Sequence, residues 1–146
     1  MKPHTFTRTL VFILFACAIA TLSSCSKNKD EILAITKDNL AGTYTLTSIK
    51  GKVPGQAEQD VTSYYYPENC QRDDQFVLKA DMDFDYIDAG ATCTFGGGYS
   101  DTWTLDNKDV YFDEVYGTVT KLTSKELVIR YTEGDSYITF YLARVL

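Results

Sequence analysis

The segment 99–146 leaves little choice of architecture. Its runs YSDTWTL, VYFDEVYGTVTKL, ELVIRYT and SYITFYLAR are rich in Val, Ile, Thr, Tyr and Phe, and they are broken by DNKD, TSK and EGD. β-Branched and aromatic side chains suit a pleated surface, whereas Asp, Asn, Gly and Ser favour turns. Leu127, Ile129 and Tyr131 fall on one face, and Glu126, Arg130 and Thr132 largely on the other. The connections are too short for crossover helices, so successive strands pair antiparallel. Closing such a sheet buries one face and leaves no edges.

Reading back through the chain, strands are expected at 43–50, 74–79, 83–87, 99–105, 110–113, 117–122, 126–132 and 136–144. The segment around Cys93 is the one place where the fourth could be extended. The expected fold is therefore all-β, an eight-stranded antiparallel up-and-down barrel. Eight strands enclose just enough room to be filled by side chains or to hold one small ligand. A short helix over 30–39 should lead in, with Ile32, Leu33, Ile35 and Leu40 loosely on one face and Asp30 and Glu31 at its start. In the first strand, Leu46 and Ile49 have opposite phases, so alternation does not settle the inward face. Tyr44 and Leu46 are the preferred inward pair.

The first 24 residues read as a targeting segment. Lys2 and Arg8 precede an apolar run over 9–22, shorter than the roughly 20 residues of a spanning helix and matching a secretory signal core. Leu22-Ser23-Ser24-Cys25 resembles the lipobox of bacterial lipoprotein precursors, which implies a lipidated Cys25 at the start of the mature chain. Plain secretion and an uncleaved anchor are the alternatives. Acyl chains there would hold the protein to a bilayer, each buried CH₂ adding about 0.8 kcal/mol. On this reading 25–31 is the lipidated Cys with a polar tether and 32–146 is the barrel domain. No Asp follows Cys25, so the expected location is the outer membrane of the cell envelope.

Of four cysteines, Cys17 lies in the signal core and Cys25 is the anchor. Cys70 and Cys93 remain, an even pair in an oxidising compartment, and are expected to form a disulfide. Two buried free thiols are the alternative.

Composition excludes several functions. All 20 acidic residues but only 12 of the 14 basic ones follow residue 24, for a net charge of −8. Nucleic acid needs a basic footprint instead. The single histidine is His4, so the remainder offers no Ser-His or Cys-His nucleophile and no histidine zinc site. Carboxylates fall mostly in turns or on polar strand phases, not as a cleft pair. Asp81, Asp83, Asp85 and Asp88 suggest a calcium loop, but Tyr86 stands where Gly is required and Thr92 where the closing Glu belongs. Gly96-Gly97-Gly98 lacks the Lys-Ser/Thr of a phosphate loop. The chain reads as a non-enzyme without metal or cofactor.

Binding candidates come from two places. Segment 51–69 is far longer than a hairpin turn and carries Tyr64, Tyr65 and Tyr66 just before Pro67. It could present these rings over one barrel mouth, or pack them for stability alone. The inward strand phases supply Met82, Phe84, Tyr86, Trp103, Leu127, Ile129, Ile138 and Phe140. An open barrel would bind a small apolar or amphipathic ligand with them. A filled barrel would serve as an interaction module, meeting an envelope protein through the 51–69 tyrosines. A filled and a hollow barrel share one alternation pattern.

Leu40-Ala41-Gly42-Thr43-Tyr44-Thr45-Leu46, Cys70 with Asp73-Asp74-Gln75-Phe76, Cys93, Thr102-Trp103-Thr104-Leu105, Lys121-Leu122-Thr123 and Glu126-Leu127-Val128-Ile129 together resemble the lipocalin-like lipoproteins of Bacteroidota. Gly42-x-Tyr44 stands where transport lipocalins carry Gly-x-Trp. The resemblance implies a signal peptide, a lipidated Cys, a two-Cys bridge and an eight-stranded barrel. It implies no catalytic or ligand residue.

Overall fold

The computed structural model describes residues 30–94 and 96–145. The expected signal segment and Cys25 lie outside the described residues. Ten strands follow in order: β1 (Gly42–Lys52), β2 (Gln59–Asp60), β3 (Gln75–Leu78), β4 (Asp83–Ile87), β5 (Tyr99–Thr102), β6 (Thr104–Asp106), β7 (Asp109–Phe112), β8 (Val115–Leu122), β9 (Glu126–Glu133) and β10 (Ser136–Val145). Helix α1 (Lys37–Leu40), helix α2 (Thr62–Tyr65) and a 3₁₀ turn at Asn69–Gln71 complete the elements.

The strands pair antiparallel in the order β5-β4-β3-β1-β10-β9-β8-β7-β6, with β2 beside the far end of β1. β5 and β6 are consecutive in the chain, so the path nearly closes into a barrel. All eight expected strands are present. The count rises to ten because β2 is added and the strand expected over 99–105 divides at Trp103. Its first half pairs with β4 and its second with β7. Segment 91–94 holds no strand.

Trp103 pins this division. It is fully buried, its amide donates to the Met82 carbonyl at 2.9 Å, and its indole N–H donates to the Lys79 carbonyl at 2.8 Å. The turn joining β3 to β4 is thereby fastened to the junction of β5 and β6.

Two bulges resolve the phase problem of the first strand. Leu46 pairs with Leu142 and Ser48 with Tyr141, so Thr47 is an extra residue. One inserted residue reverses the side-chain phase. Tyr44, Leu46 and Ile49 therefore all point inward and are buried. β8 repeats the device: Thr120 is extra between Val119 and Lys121, and Val119 and Leu122 are both buried. Each bulge threonine donates its hydroxyl across the ladder, Thr47 to the Tyr141 carbonyl (2.8 Å) and Thr120 to the Val128 carbonyl (3.3 Å).

One end of the barrel is sealed. Tyr44 is fully buried and donates its hydroxyl to the Leu40 carbonyl at 2.7 Å. The Arg144 guanidinium lies 5.2 Å from the centre of the Tyr44 ring and donates to its hydroxyl and to the carbonyls of Asn39 and Ala41. The leading helix is shorter than expected. Only Lys37–Leu40 is helical, with Thr36 as its N-cap. Ahead of it, Ile32 bridges Thr123, the Leu33 amide donates to the Leu122 carbonyl, and Asp30 pairs with Lys125 at 2.7 Å. Pairing with the end of β8 satisfies backbone groups that a first helical turn would leave open. Leu33 and Ile35 pack on the core from this extended segment.

Between the ends lies one buried cluster running from Leu40 to Leu142. Phe76, Phe84 and Phe112 form its aromatic centre, with ring centres 5.7–6.4 Å apart, spacing at which aromatic pairs attract beyond their buried area.

Candidate functional site

The other end is the mouth, and the 51–69 segment is folded across it. The Val61 amide donates to the Ile49 carbonyl at 2.9 Å, and the buried Thr62 hydroxyl accepts from the Ile49 amide at 2.8 Å. Asp60 accepts from the Thr62 amide at 2.9 Å. These bonds dock β2 and α2 against β1. Arg72 holds the far side, donating to the Tyr66 carbonyl and the Ser63 hydroxyl. Cys70 and Cys93 are disulfide-bonded, with Cα atoms 5.5 Å apart, as the cysteine count led one to expect. The bridge ties the flap to segment 88–98. Asp73 accepts from the Ala91 amide (2.9 Å) and Asp74 from the Ala89 amide (3.1 Å).

Three open clefts meet at Tyr65. The first, about 320 Å³, lies between the flap and the β9–β10 hairpin and includes Val53, Val61, Tyr64, Tyr137 and Ile138. The second, about 250 Å³, is lined by Tyr65, Glu114, Tyr116, Tyr131, Ile138 and Phe140. The third, about 530 Å³, includes Tyr66, Asp74, Tyr86, Tyr99, Asp113 and Glu114. The first two share Tyr131 and Ile138, and the last two share Glu114. The Tyr65 ring stands edge-on to Phe140, 6.4 Å between centres.

The expected residues separate into two groups. Tyr64 (82% exposed), Tyr65 (42% exposed), Tyr66, Tyr86, Ile138 and Phe140 line the clefts. Phe84, Trp103, Leu127 and Ile129 do not. They are fully buried members of the packed core, so they fill the barrel beneath the mouth. Their inward phase is the same in either arrangement, and only three-dimensional packing distinguishes them. Sequence reasoning missed Asp74, Tyr99, Asp113, Glu114, Tyr116 and Tyr131. Asp113 ends an expected strand and Glu114 falls in the gap after it, and their position on the rim follows only from the β7–β8 hairpin facing the flap.

The third cleft has an unusual polarity. Tyr86 donates its hydroxyl to Asp74 and Tyr99 donates its hydroxyl to Asp113. Asp74 is buried. The two tyrosine rings stack with centres 5.2 Å apart. Burial pushes the Tyr86 and Tyr99 hydroxyls well above the usual tyrosine range, and the carboxylate each one bonds pushes further in the same direction. Tyr66 is raised by burial and then by the charges of Asp113, Glu114 and Asp74. The carboxylates are too dispersed for one metal ion. Among the described residues, the grouping tight enough to be considered is Glu68 with Cys70 and Cys93, whose sulfurs are bonded to each other.

A family model described as the lipocalin-like domain matches residues 40–129, more than half of the chain. No curated protein and no solved structure matches it.

Proposed function

Because the chain belongs to the lipocalin-like domain family, we propose that it is a non-enzymatic binding protein that holds a small apolar or amphipathic ligand at its mouth, around Tyr65. One observation carries this reading. The barrel is packed below, while three clefts converge on one tyrosine above it. Pockets of a few hundred Å³ with apolar walls and a few polar groups suit small molecules. The ligand therefore lies across the rim and under the flap instead of inside the strands. The test is titration of the full-length chain with the uncharged fluorophore N-phenyl-1-naphthylamine. Saturable binding that weakens at least about fivefold in Tyr65→Ala, roughly 1 kcal/mol, is expected. Absence of saturable binding, or binding indifferent to Tyr65→Ala, overturns the site.

A second reading, an interaction module meeting an envelope protein through the flap, draws on the 82% exposure of Tyr64. In this case Tyr64→Ala abolishes capture of the partner, and unchanged capture removes the reading.

The proposal also includes Cys25 as a lipid anchor to the outer membrane. It is supported by Leu22-Ser23-Ser24-Cys25 and the polar stretch after it. Wild-type protein should partition with membranes and detergent, and Cys25→Ser should not be processed or retained there. Equal partition of the two forms refutes the anchor.

A further inference from the structure

The third cleft is distinguished by which hydrogen-bonding groups remain available in it. Tyr86 and Tyr99 have directed their hydroxyl protons to Asp74 and Asp113, so each presents an oxygen with lone pairs. The Gly96 amide on the same wall already donates to the Cys93 carbonyl. Glu68 and Glu114 add carboxylates to the lining, and among the described residues neither the second nor the third cleft has a lysine or arginine in its wall. Arg72, close by in the chain, directs its guanidinium to the Tyr66 carbonyl and Ser63 hydroxyl. The wall is thus rich in acceptors and negative charge and lined by four tyrosines, Tyr65, Tyr66, Tyr86 and Tyr99. Aromatic rings and carboxylates together favour a cation.

Size decides what kind of cation. The cleft measures about 530 Å³, and its carboxylates do not converge within the reach of one ion among the described residues. A dispersed set of acceptors around a volume of this size matches a charge spread over an organic group. The adjoining second cleft shares Tyr65 and Glu114 with it and is floored by Ile138 and Phe140. A polar, anionic compartment therefore opens directly onto an apolar one.

We infer that the ligand is a cationic amphiphile, with an organic ammonium head among Asp113, Glu114, Tyr66, Tyr86 and Tyr99 and an apolar body crossing Tyr65 onto Ile138 and Phe140. The inference rests on the mouth being the binding site and adds the charge of its ligand. A ligand of the opposite sign would meet carboxylates at every cleft that Glu114 borders. Solvent ions screen exposed charges over about 10 Å at 0.1 M salt, so the preference weakens as salt is raised.

The experiment is displacement of N-phenyl-1-naphthylamine from the full-length chain by three probes of equal chain length, each below its micelle concentration. They are decyltrimethylammonium, decanoate and uncharged decyl maltoside, with thermal unfolding followed alongside. The ammonium probe should displace at a concentration at least about tenfold lower than decanoate, with the maltoside between. The double variant Asp113→Asn, Glu114→Gln should bring the ammonium and decanoate values within about threefold of each other. Asp113 sits at φ 53°, a conformation Asn adopts as readily as Asp, so this turn is retained. Equal displacement by all three probes, a preference for decanoate, or a preference unchanged in the double variant overturns the charge inference and leaves the mouth site standing. Failure of the fluorophore itself to bind overturns the mouth site as well.

Discussion

Replacing Trp103 tests the idea that one side chain holds the barrel closed. An aromatic of this size buries about 150–250 Å², worth roughly 4–6 kcal/mol at 25 cal/mol per Å² as an upper bound. Measured truncations of buried Trp or Phe to Ala cost about 3–5 kcal/mol. Trp103 is fully buried and stands where the strand passes from β4 to β7, so Trp103→Ala should fall at the upper end of that range. Trp103→Phe separates the parts. It keeps a ring in place but loses the bond to Lys79, whose carbonyl still accepts from the Met82 amide at 3.0 Å. The carbonyl is not orphaned, so the cost is one ordinary hydrogen bond, about 1 kcal/mol, plus a small void, for a total of about 2 kcal/mol. Urea unfolding followed by circular dichroism measures both values, since the only tryptophan is the one removed. Amide exchange should also accelerate first at Thr102 and Thr104 on either side of the division. If Trp103→Ala costs less than about 1.5 kcal/mol, or if exchange accelerates evenly around the barrel, then the closure does not depend on this residue.

Two further outcomes follow from the mouth. Cys70 and Cys93 lie 23 residues apart, so chain-entropy arguments give the bridge about 3–4 kcal/mol; reduction should lower the urea midpoint accordingly, and an unchanged midpoint would contradict this. Tyr66, Tyr86 and Tyr99 have hydroxyls raised above the usual range, by burial first and by neighbouring carboxylates second. Their contribution is fully present below the unfolded tyrosine value of about 10 and declines as pH rises towards the folded values, because the unfolded chain ionises first. Ultraviolet tyrosinate absorbance at about pH 11 should therefore fall short of that of the denatured chain, and full ionisation before unfolding would refute the assignment.

Much of the barrel is legible from alternation. The eight strand positions are visible because Val, Ile, Thr, Tyr and Phe recur with period two between turn residues. What alternation hides is a change of phase within a strand. Thr47 and Thr120 look like ordinary outward threonines, yet each inserts one residue and puts Ile49 and Leu122 on the face opposite to a straight reading. The division at Trp103 is hidden for a related reason. A continuous strand and two half-strands paired to different neighbours present the same residues. The 30–39 segment misleads in another way: its apolar residues satisfy a loose helical spacing, but the open end of β8 offers Ile32 and Leu33 a partner that local pattern cannot show. At the site, the flap tyrosines were visible from loop length and composition. The acidic rim was not, because Asp74 and Asp113 acquire meaning only through Tyr86 and Tyr99, which are distant in sequence and adjacent across the mouth.

The docking of residues 30–33 beside Thr123 and Lys125 sets a direction for the whole molecule. The chain arrives at the sealed end, next to the turn that begins β9, while the clefts lie by the hairpin that ends it. Eight strand residues at about 3.4 Å each, tilted as barrel strands are, separate these two points by roughly 20 Å. Residue 30 therefore enters at the pole of the barrel opposite the clefts, and the described chain ahead of β1 does not cross the mouth.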